Sequence, residues 1–156
     1  MHQIAAKAIA FGEALKPSFK TYARQIVKNA KAMEKVFHTH RIRLIAGGTD
    51  NHLLLADVWK GLDVGGKDAE DALNDVGITL NKNAVADDPR KPFDPSGIRF
   101  GTPAITTRGF KEKDCARVAE LMIETMRNRS DVKKKKQIRE EIRKMSKKHP
   151  VPERFV

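Results

Sequence analysis

The sequence predicts an α+β fold, in which helices pack on a small and mostly antiparallel sheet. Three observations support this class. Apolar residues at helical spacing occupy both ends of the chain, strand-like alternation occupies its middle, and a glycine pair separates two neighbouring strand candidates. The 156 residues, 40% of them hydrophobic, are sufficient for the core of one compact domain.

The amino-terminal part is predicted to form two helices. Residues 3–15 are rich in alanine, and Pro17 ends or bends this first helix because proline cannot continue the hydrogen-bond ladder. Apolar residues then recur at steps of three or four, as in an amphipathic helix that packs on something larger. These residues are Tyr22, Ile26, Ala30, Met33 and Phe37.

The middle of the chain is predicted to contain short strands around one helix. Glycine and asparagine at its turns supply the conformations that strands and helices need at their ends. The predicted segments are a hairpin of Arg41–Ala46 and His52–Val58 around Gly47 and Gly48, a helix Asp68–Val76 closed by Gly77, a strand Ile78–Leu80, an ordered loop from Asn83 to Pro95, and extended structure from Ser96 to Ile105.

Two closing helices complete the prediction, at Lys111–Met126 and Asp131–Lys147. We expect the long opening helix and the sheet to form two layers, with the closing helices covering the outer face. In the first closing helix, one face carries Val118, Leu121, Met122 and Thr125.

The net charge of +11 is concentrated at the carboxy-terminal end, where residues 127–156 carry +8. A basic tail of this kind binds nucleic acid in some proteins through phosphate contacts. However, no aromatic residue interrupts the run Lys133–Lys136, and Glu140 and Glu141 follow it closely. The pattern therefore favours a solvated helix, and nucleic acid is an unlikely partner.

Several classes of protein are disfavoured. Cys115 is the only cysteine, so an internal disulfide is excluded and a reducing compartment is indicated. No apolar run approaches the roughly 20 residues of a membrane helix, and no secretory leader is evident, so we expect a cytoplasmic protein.

His38 and His40 are two residues apart and cannot share a helical face, so no metal site is predicted. No catalytic base or nucleophile with a positioned partner is found, so no catalytic residue is assigned.

Arg99 is the strongest candidate for binding a ligand. It lies between Gly97 and Gly101 in predicted extended structure, which leaves room for a ligand to approach. The guanidinium offers two parallel N–H donors that match a carboxylate. The alternative at this point is a structural salt bridge to an aspartate nearby in sequence, namely Asp87, Asp88 or Asp94.

Asparagines supply a second candidate site. Asn81 and Asn83 precede the predicted loop, and their amides donate and accept hydrogen bonds at once, as reading a pterin or a base requires. The alternative is ordinary turn and capping chemistry. The turn Gly47–His52 is interpreted as structural in the same way, with His52 packed and hydrogen-bonded.

These stretches together resemble serine hydroxymethyltransferase. The resemblance is carried, in chain order, by MHQIAAKAIAFGEAL, FKTYARQIVKNAKAM, GGTDNHLLLADV, GITLNKNAVADDPRKPF and SGIRFGTPAITTRGF. It covers residues 1–126 firmly and is looser in the basic tail. It implies the small domain of a fold-type-I pyridoxal-phosphate enzyme.

The resemblance also implies a function. Family members interconvert serine plus tetrahydrofolate with glycine plus 5,10-methylenetetrahydrofolate, with pyridoxal phosphate as cofactor. The arginine of the SGIR motif, Arg99 here, binds the substrate carboxylate, and the second asparagine of NKN, Asn83 here, binds the folate pterin. The alternatives are a stand-alone module that binds an amino acid or folate, and a basic nucleic-acid-binding domain.

The family pattern further implies that a large domain is missing from this chain. The Schiff-base lysine of the family lies in a Thr-His-Lys-type segment, and the echo of that triplet at Thr39-His40-Arg41 carries arginine instead. We therefore expect a carboxy-terminal piece, inactive alone, from a family of homodimers or tetramers. Its predicted parts are residues 1–37, which bridge to the large domain, the α+β domain at 38–126, and the basic helical tail at 127–156.

Overall fold

The computed structural model describes residues 1–152, and the last four residues of the predicted basic tail lie outside that range. The described part consists of seven helices and four strands. In chain order, these are α1 (His2–Ala14), α2 (Pro17–Thr39), β1 (Arg43–Leu44), β2 (Leu53–Asp57), α3 (Val58–Leu62), α4 (Gly66–Asp75), β3 (Asn81–Asn83), β4 (Gly97–Gly101), α5 (Pro103–Thr107), α6 (Glu112–Arg127) and α7 (Val132–Lys148).

The four strands form one antiparallel sheet in the order β1-β2-β4-β3, so the predicted α+β class is confirmed. The predicted hairpin is also confirmed, with Leu44 opposite Ala56. The central strand β4 lies between β2 and β3, and Arg99 is opposite Leu55 on one side and Asn81 on the other. This register determines which side chains share a face of the sheet.

One face of the sheet is covered by helices. Leu54 and Phe100 are opposite one another and buried, as are Ala56 and Ile98 in the next row. Phe37 of α2 packs against this face, with its ring centroid 5.2 Å from that of Phe100. We call this surface the covered face, and the surface that carries Leu55 and Arg99 the open face.

Helix α2 shows why the covered face is so well buried. Its predicted apolar stripe is confirmed for Ala30, Met33 and Phe37, which have at most 2% of their surface exposed. The other two members, Tyr22 and Ile26, are partly buried. Helix α6 packs against α2 and also touches α4, and α7 packs on α6. The predicted inner residues of α6 are confirmed for Leu121, Met122 and Thr125, while Val118 is partly buried. The closing helices therefore extend the helical layer. On the second face of the sheet Arg99 is exposed, while Asp57 and Gly97 at its other end are buried.

Several predicted boundaries differ from the structure. The short strand forms at Asn81–Asn83 and not at Ile78–Leu80, because Ile78 and Leu80 pack into the core before pairing with β4 begins. The predicted extended segment Ser96–Ile105 is cut short, since Pro103 begins α5. The predicted strand Arg41–Ala46 retains only β1 because residues 45–47 turn, with Ala46 at φ 58°.

Helix α3 was not predicted. Asp57 ends β2, and its carboxylate accepts a hydrogen bond from the backbone N–H of Lys60 at 3.1 Å, which caps the helix at its first turn.

The predicted end of α4 is confirmed, since Gly77 takes the positive φ of 87° that a glycine in this position permits. None of the residues of α1 is buried, and Ile4, Ile9, Phe11 and Leu15 are exposed.

Candidate functional site

Arg99 lies at the centre of the open face. It is exposed, whereas its neighbours Ile98 and Phe100 point into the core. Within residues 1–152, no carboxylate oxygen lies within 4 Å of its guanidinium nitrogens. A pair with Asp88 or Asp94 is not formed, because Asp88 is held by its own loop and Asp94 pairs with Arg90. The five N–H donors of Arg99 are therefore available to a ligand.

A cavity of about 560 Å³ lies beside Arg99 on the open face. It is lined by Leu53, Leu54 and Leu55 of β2 and by Lys31 of α2. The remaining wall is the turn from Ile45 to Asn51. The cavity combines an apolar surface with one unpaired guanidinium, as expected for a site that binds a small carboxylate.

The turn at the cavity wall is held in shape by its own side chains. Thr49 Oγ1 accepts from the N–H of Asn51 at 3.2 Å, and Asn51 Oδ1 accepts from the N–H of Leu53 at 2.8 Å. Gly47 and Gly48 have φ angles of 74° and 149°, which favour glycine. The predicted structural role of this turn is supported by these contacts, and the turn also borders the cavity. The prediction that His52 is packed and hydrogen-bonded is wrong, because His52 is exposed and its side chain makes no hydrogen bond within residues 1–152.

Asn83 lies on the same face as Arg99. It is opposite Gly97, while Asn81 is opposite Arg99, so Asn83 is one diagonal step away, roughly 7–8 Å between Cα atoms. Its Nδ2 donates to the carbonyl of Ala84 at 2.7 Å, which orients the side-chain amide. The intervening residue, Lys82, points to the other face and pairs with Glu70 of α4 at 2.8 Å. The structure thus brings both predicted ligand-binding residues to one surface.

The loop that follows Asn83 is organised by Asp88. The carboxylate of Asp88 accepts from the Ser96 hydroxyl at 2.6 Å and from the backbone N–H groups of Val85, Arg90 and Ser96 at 2.9–3.1 Å. Partial burial opposes ionisation, but these hydrogen bonds outweigh it and lower the pKa of Asp88 to about 2. The sequence suggests Asp88 only as an alternative partner for Arg99. The signal for its role was the Asp-Pro pair of residues 88 and 89, which is typical of turns.

Arg90 and Trp59 add a second anchor to this loop. The guanidinium of Arg90 lies 4.1 Å from the centroid of the Trp59 ring, in a cation–π contact, and pairs with Asp94. The loop therefore reaches its position beside Asn83 by contacts to both its own backbone and α3. An ordered loop was predicted here, and these contacts explain its order.

Arg108 contributes to structure. Its guanidinium donates to the carbonyls of Ser146 at 2.9 Å and His149 at 2.7 Å, near the end of α7. Cations at this end of a helix satisfy carbonyls that lack a partner in the helix. These contacts give Arg108 a structural role, since they join the segment after α5 to the end of α7.

Helix α7 buries Ile138 and Ile142 and exposes most of its charged residues. Some of its lysines pair with acidic residues of neighbouring helices, with Lys134 at 3.0 Å from Glu124 and Lys135 at 2.7 Å from Asp75. These contacts are consistent with the predicted solvated helix.

Other chemistry receives little support from the part of the chain that the structure describes. Burial raises the pKa of the Cys115 thiol to about 12, so the reactive thiolate is disfavoured. Among residues 1–152, no group of three or more His, Cys, Asp or Glu side chains is arranged to hold a metal ion. None of the helices in this range has the length and apolar character needed to cross a membrane.

The fold and the site together define a small α+β domain that carries Arg99 and two asparagine amides on an open sheet face, and within residues 1–152 Arg99 has no ion pair. The family model described as serine hydroxymethyltransferase matches residues 1–122. The chain belongs to the serine hydroxymethyltransferase family, and its sheet and helices are those of the small domain of a fold-type-I enzyme.

Curated relatives agree with this assignment. A serine hydroxymethyltransferase of Xylella fastidiosa (strain 9a5c) is 50% identical over 151 residues, which are 97% of this chain and 36% of the relative. The protein of the same name from Francisella tularensis subsp. novicida (strain U112) is 52% identical over the same shares of both chains. That from Francisella tularensis subsp. tularensis (strain WY96-3418) is 56% identical over 133 residues, or 85% of this chain and 32% of the relative. The chain thus spans about a third of the length of these relatives.

Proposed function

We propose that this chain supplies the amino-acid carboxylate contact and a folate contact to a serine hydroxymethyltransferase active site that is completed by a large domain. The reaction would interconvert serine plus tetrahydrofolate with glycine plus 5,10-methylenetetrahydrofolate. The observation that carries the proposal is the unpaired Arg99 on the open face, next to the cavity of about 560 Å³.

Arg99 has the chemistry and the position for the carboxylate contact. Its backbone is fixed by pairing on both sides, with Leu55 and with Asn81, so the guanidinium projects from the rigid centre of the sheet. A guanidinium binds a carboxylate through two parallel hydrogen bonds, which orient the amino acid as well as hold it. Orientation is the useful part, because catalysis requires the reacting bonds to be aligned.

Asn83 is proposed to contact the pterin of the folate. Its amide is oriented by the hydrogen bond to Ala84, and the loop that Asp88 organises continues directly from it. An amide presents a donor and an acceptor side by side, which suits the edge of a pterin ring. Because Asn83 and Arg99 share one face, folate and amino acid would meet above the sheet, as transfer of a carbon between them requires.

Lys31, which lines the cavity, and Lys82, next to Asn83 in β3, do not fit as the lysine site for pyridoxal phosphate. Schiff-base lysines need a lowered pKa, whereas hydrogen bonds to Glu34 and Glu70 raise the pKa values of Lys31 and Lys82. Pyridoxal phosphate, which acts as an electron sink when bound, would therefore be held by the large domain. The open face and exposed α1 are the surfaces that this domain would cover, in keeping with residues 1–37 as a bridge, 38–126 as the small domain and 127–156 as the tail. Assembly would follow the dimers or tetramers of the family.

Mixing the 156-residue chain with pyridoxal phosphate tests whether this chain can hold the cofactor without the large domain. We expect no internal-aldimine absorbance from the chain, while the intact Xylella fastidiosa relative, treated in parallel, serves as the positive control. A stable adduct at one lysine, stoichiometric and reducible by borohydride, would show that this chain carries its own cofactor site. Calorimetry with glycine, serine and a reduced folate completes the experiment, since binding at millimolar concentration would instead favour a stand-alone module.

A further inference from the structure

Glu34 of α2 connects the helical layer to the turn that forms the cavity wall. Its Oε2 accepts a hydrogen bond from the backbone N–H of Thr49 at 2.8 Å. Only 15% of the Glu34 side chain is exposed, so water competes weakly for this bond. Glu34 itself does not line the cavity. It therefore acts on the cavity only through the turn.

Lys31 strengthens this contact. Its ammonium lies 3.1 and 3.2 Å from the two carboxylate oxygens of Glu34, and 3.6 Å from Asp50 in the turn. Burial opposes ionisation of Glu34, but the N–H of Thr49 and the ammonium of Lys31 together lower its pKa below the usual value. Glu34 is thus a charged acceptor at neutral pH, and hydrogen bonds to charged groups are the stronger ones.

Gly48 fits against the same carboxylate. A Cβ built on Gly48 would lie 2.7 Å from Glu34 Oε2 and 2.8 Å from Glu34 Cδ, so no other residue fits without a shift of the turn or of Glu34. The φ of 149° at Gly48 adds a conformational reason for glycine. The close approach brings the turn against α2, and the turn and Arg99 line the same cavity.

We propose that Glu34 is a positioning residue for the Arg99 site: it holds the turn 47–51 against α2 and so sets the wall of the cavity that receives the substrate carboxylate. The substrate part of this inference rests on the proposed function of Arg99. The positioning part rests on the Glu34, Lys31, Gly48 and Thr49 contacts alone. The sequence motif of the turn does not reveal it, because Glu34 precedes Thr49 by 15 residues and belongs to another element.

Amide hydrogen exchange and NMR of the 156-residue chain test the inference. In Glu34→Ala, the Thr49 amide should exchange at least 10-fold faster, and the Arg99 Nε–Hε signal should move. In Glu34→Gln, the side-chain oxygen still accepts from Thr49 but carries no charge, so exchange should rise by less than in Glu34→Ala. Glu120→Ala is the matched control, because Glu120 also pairs with a cation three residues before it, Arg117 at 2.8 Å, and lies on α6.

A second variant tests the same contact without removing the charge. Gly48→Ala should move the same signals, because its methyl group displaces the Glu34 carboxylate. Far-UV circular dichroism verifies that each variant is folded. Unchanged Thr49 exchange in folded Glu34→Ala, or an unmoved Arg99 signal in both Glu34→Ala and Gly48→Ala, would overturn the inference.

Glycine provides the functional readout. If glycine shifts the Arg99 signal of the wild type, its dissociation constant should rise at least 5-fold in Glu34→Ala and stay near the wild-type value in Glu34→Gln. An unchanged constant in Glu34→Ala would overturn the positioning role. If the wild type gives no response to glycine, the exchange rate of Thr49 and the position of the Arg99 signal decide the inference by themselves. These outcomes distinguish a failure of Arg99 to bind the substrate from a failure of Glu34 to position the turn.

Discussion

The two faces of the sheet are built from the same strands, but one packs against helices and the other carries the candidate binding residues. On the covered face, Leu54 and Phe100 pack beneath α2 and are almost fully buried. On the open face, Leu55 and Arg99 occupy the next positions of the same strands and remain accessible. Because side chains alternate along a strand, a one-residue step separates a stabilising position from a position that can bind a ligand. Helices that pack on the covered face stabilise the fold, and the open face stays accessible to a ligand.

The largest expected effect contrasts two neighbouring leucines. Leu54→Ala removes a side chain that is 1% exposed and should lower the free energy of unfolding by about 2–5 kcal/mol. Leu55→Ala makes the identical change on the open face and should cost less than about 1 kcal/mol. Urea denaturation followed by circular dichroism measures both. Equal losses would show that the open face is packed in the isolated chain, and the contrast between the faces would be wrong.

A smaller effect is expected at the border of the open face, where Asp88 organises the loop. Asp88→Asn removes an acceptor for several N–H groups and should cost about 1–3 kcal/mol. Asp87→Asn is the control, because Asp87 is exposed and its positive φ of 54° is tolerated by asparagine.

The pH dependence of the Asp88 contribution sharpens this test. The folded pKa of about 2 lies below the ordinary value of 3.8, so ionised Asp88 favours the folded state. Its contribution, on the order of 2 kcal/mol, should be fully present above pH 4 and lost as the pH falls toward 2. The difference between wild-type and Asp88→Asn unfolding curves should therefore shrink over that range. A difference that stays constant from pH 5 to pH 2 would contradict the role assigned to the carboxylate.

The sequence predicts the covered face better than the open one. Ala30, Met33 and Phe37 follow helical spacing, so their burial in α2 can be read from periodicity alone. Arg99 and Asn83 were identified from local motifs, and the register of β4 with β3 then brings them to one face. The carboxylate of Glu34 accepts a hydrogen bond from Thr49, which belongs to another part of the chain, and no local sequence pattern predicts such a contact. Helix α3 was missed because its cap, Asp57, also ends a strand.

The position of β3 illustrates the same limit. Ile78 and Leu80 have the apolar character of a strand, yet they pack among the helices, and pairing begins at Asn81. Tertiary packing thus overrides local preference where a short segment meets both the core and the sheet. That shift of three residues places both asparagines in the sheet beside Arg99 and Gly97.

The proposed binding of the substrate carboxylate by Arg99 can be measured in an active enzyme. This chain replaces the matched 151-residue segment of the Xylella fastidiosa relative, and the KM for serine of the resulting enzyme is compared with that of its Arg99→Lys variant. Lysine keeps the charge but loses the paired donors, so KM should rise on the order of 10- to 100-fold. Asn81→Ala, beside Arg99 on β3, controls for disturbance of the sheet face. An unchanged KM in folded Arg99→Lys would contradict the account.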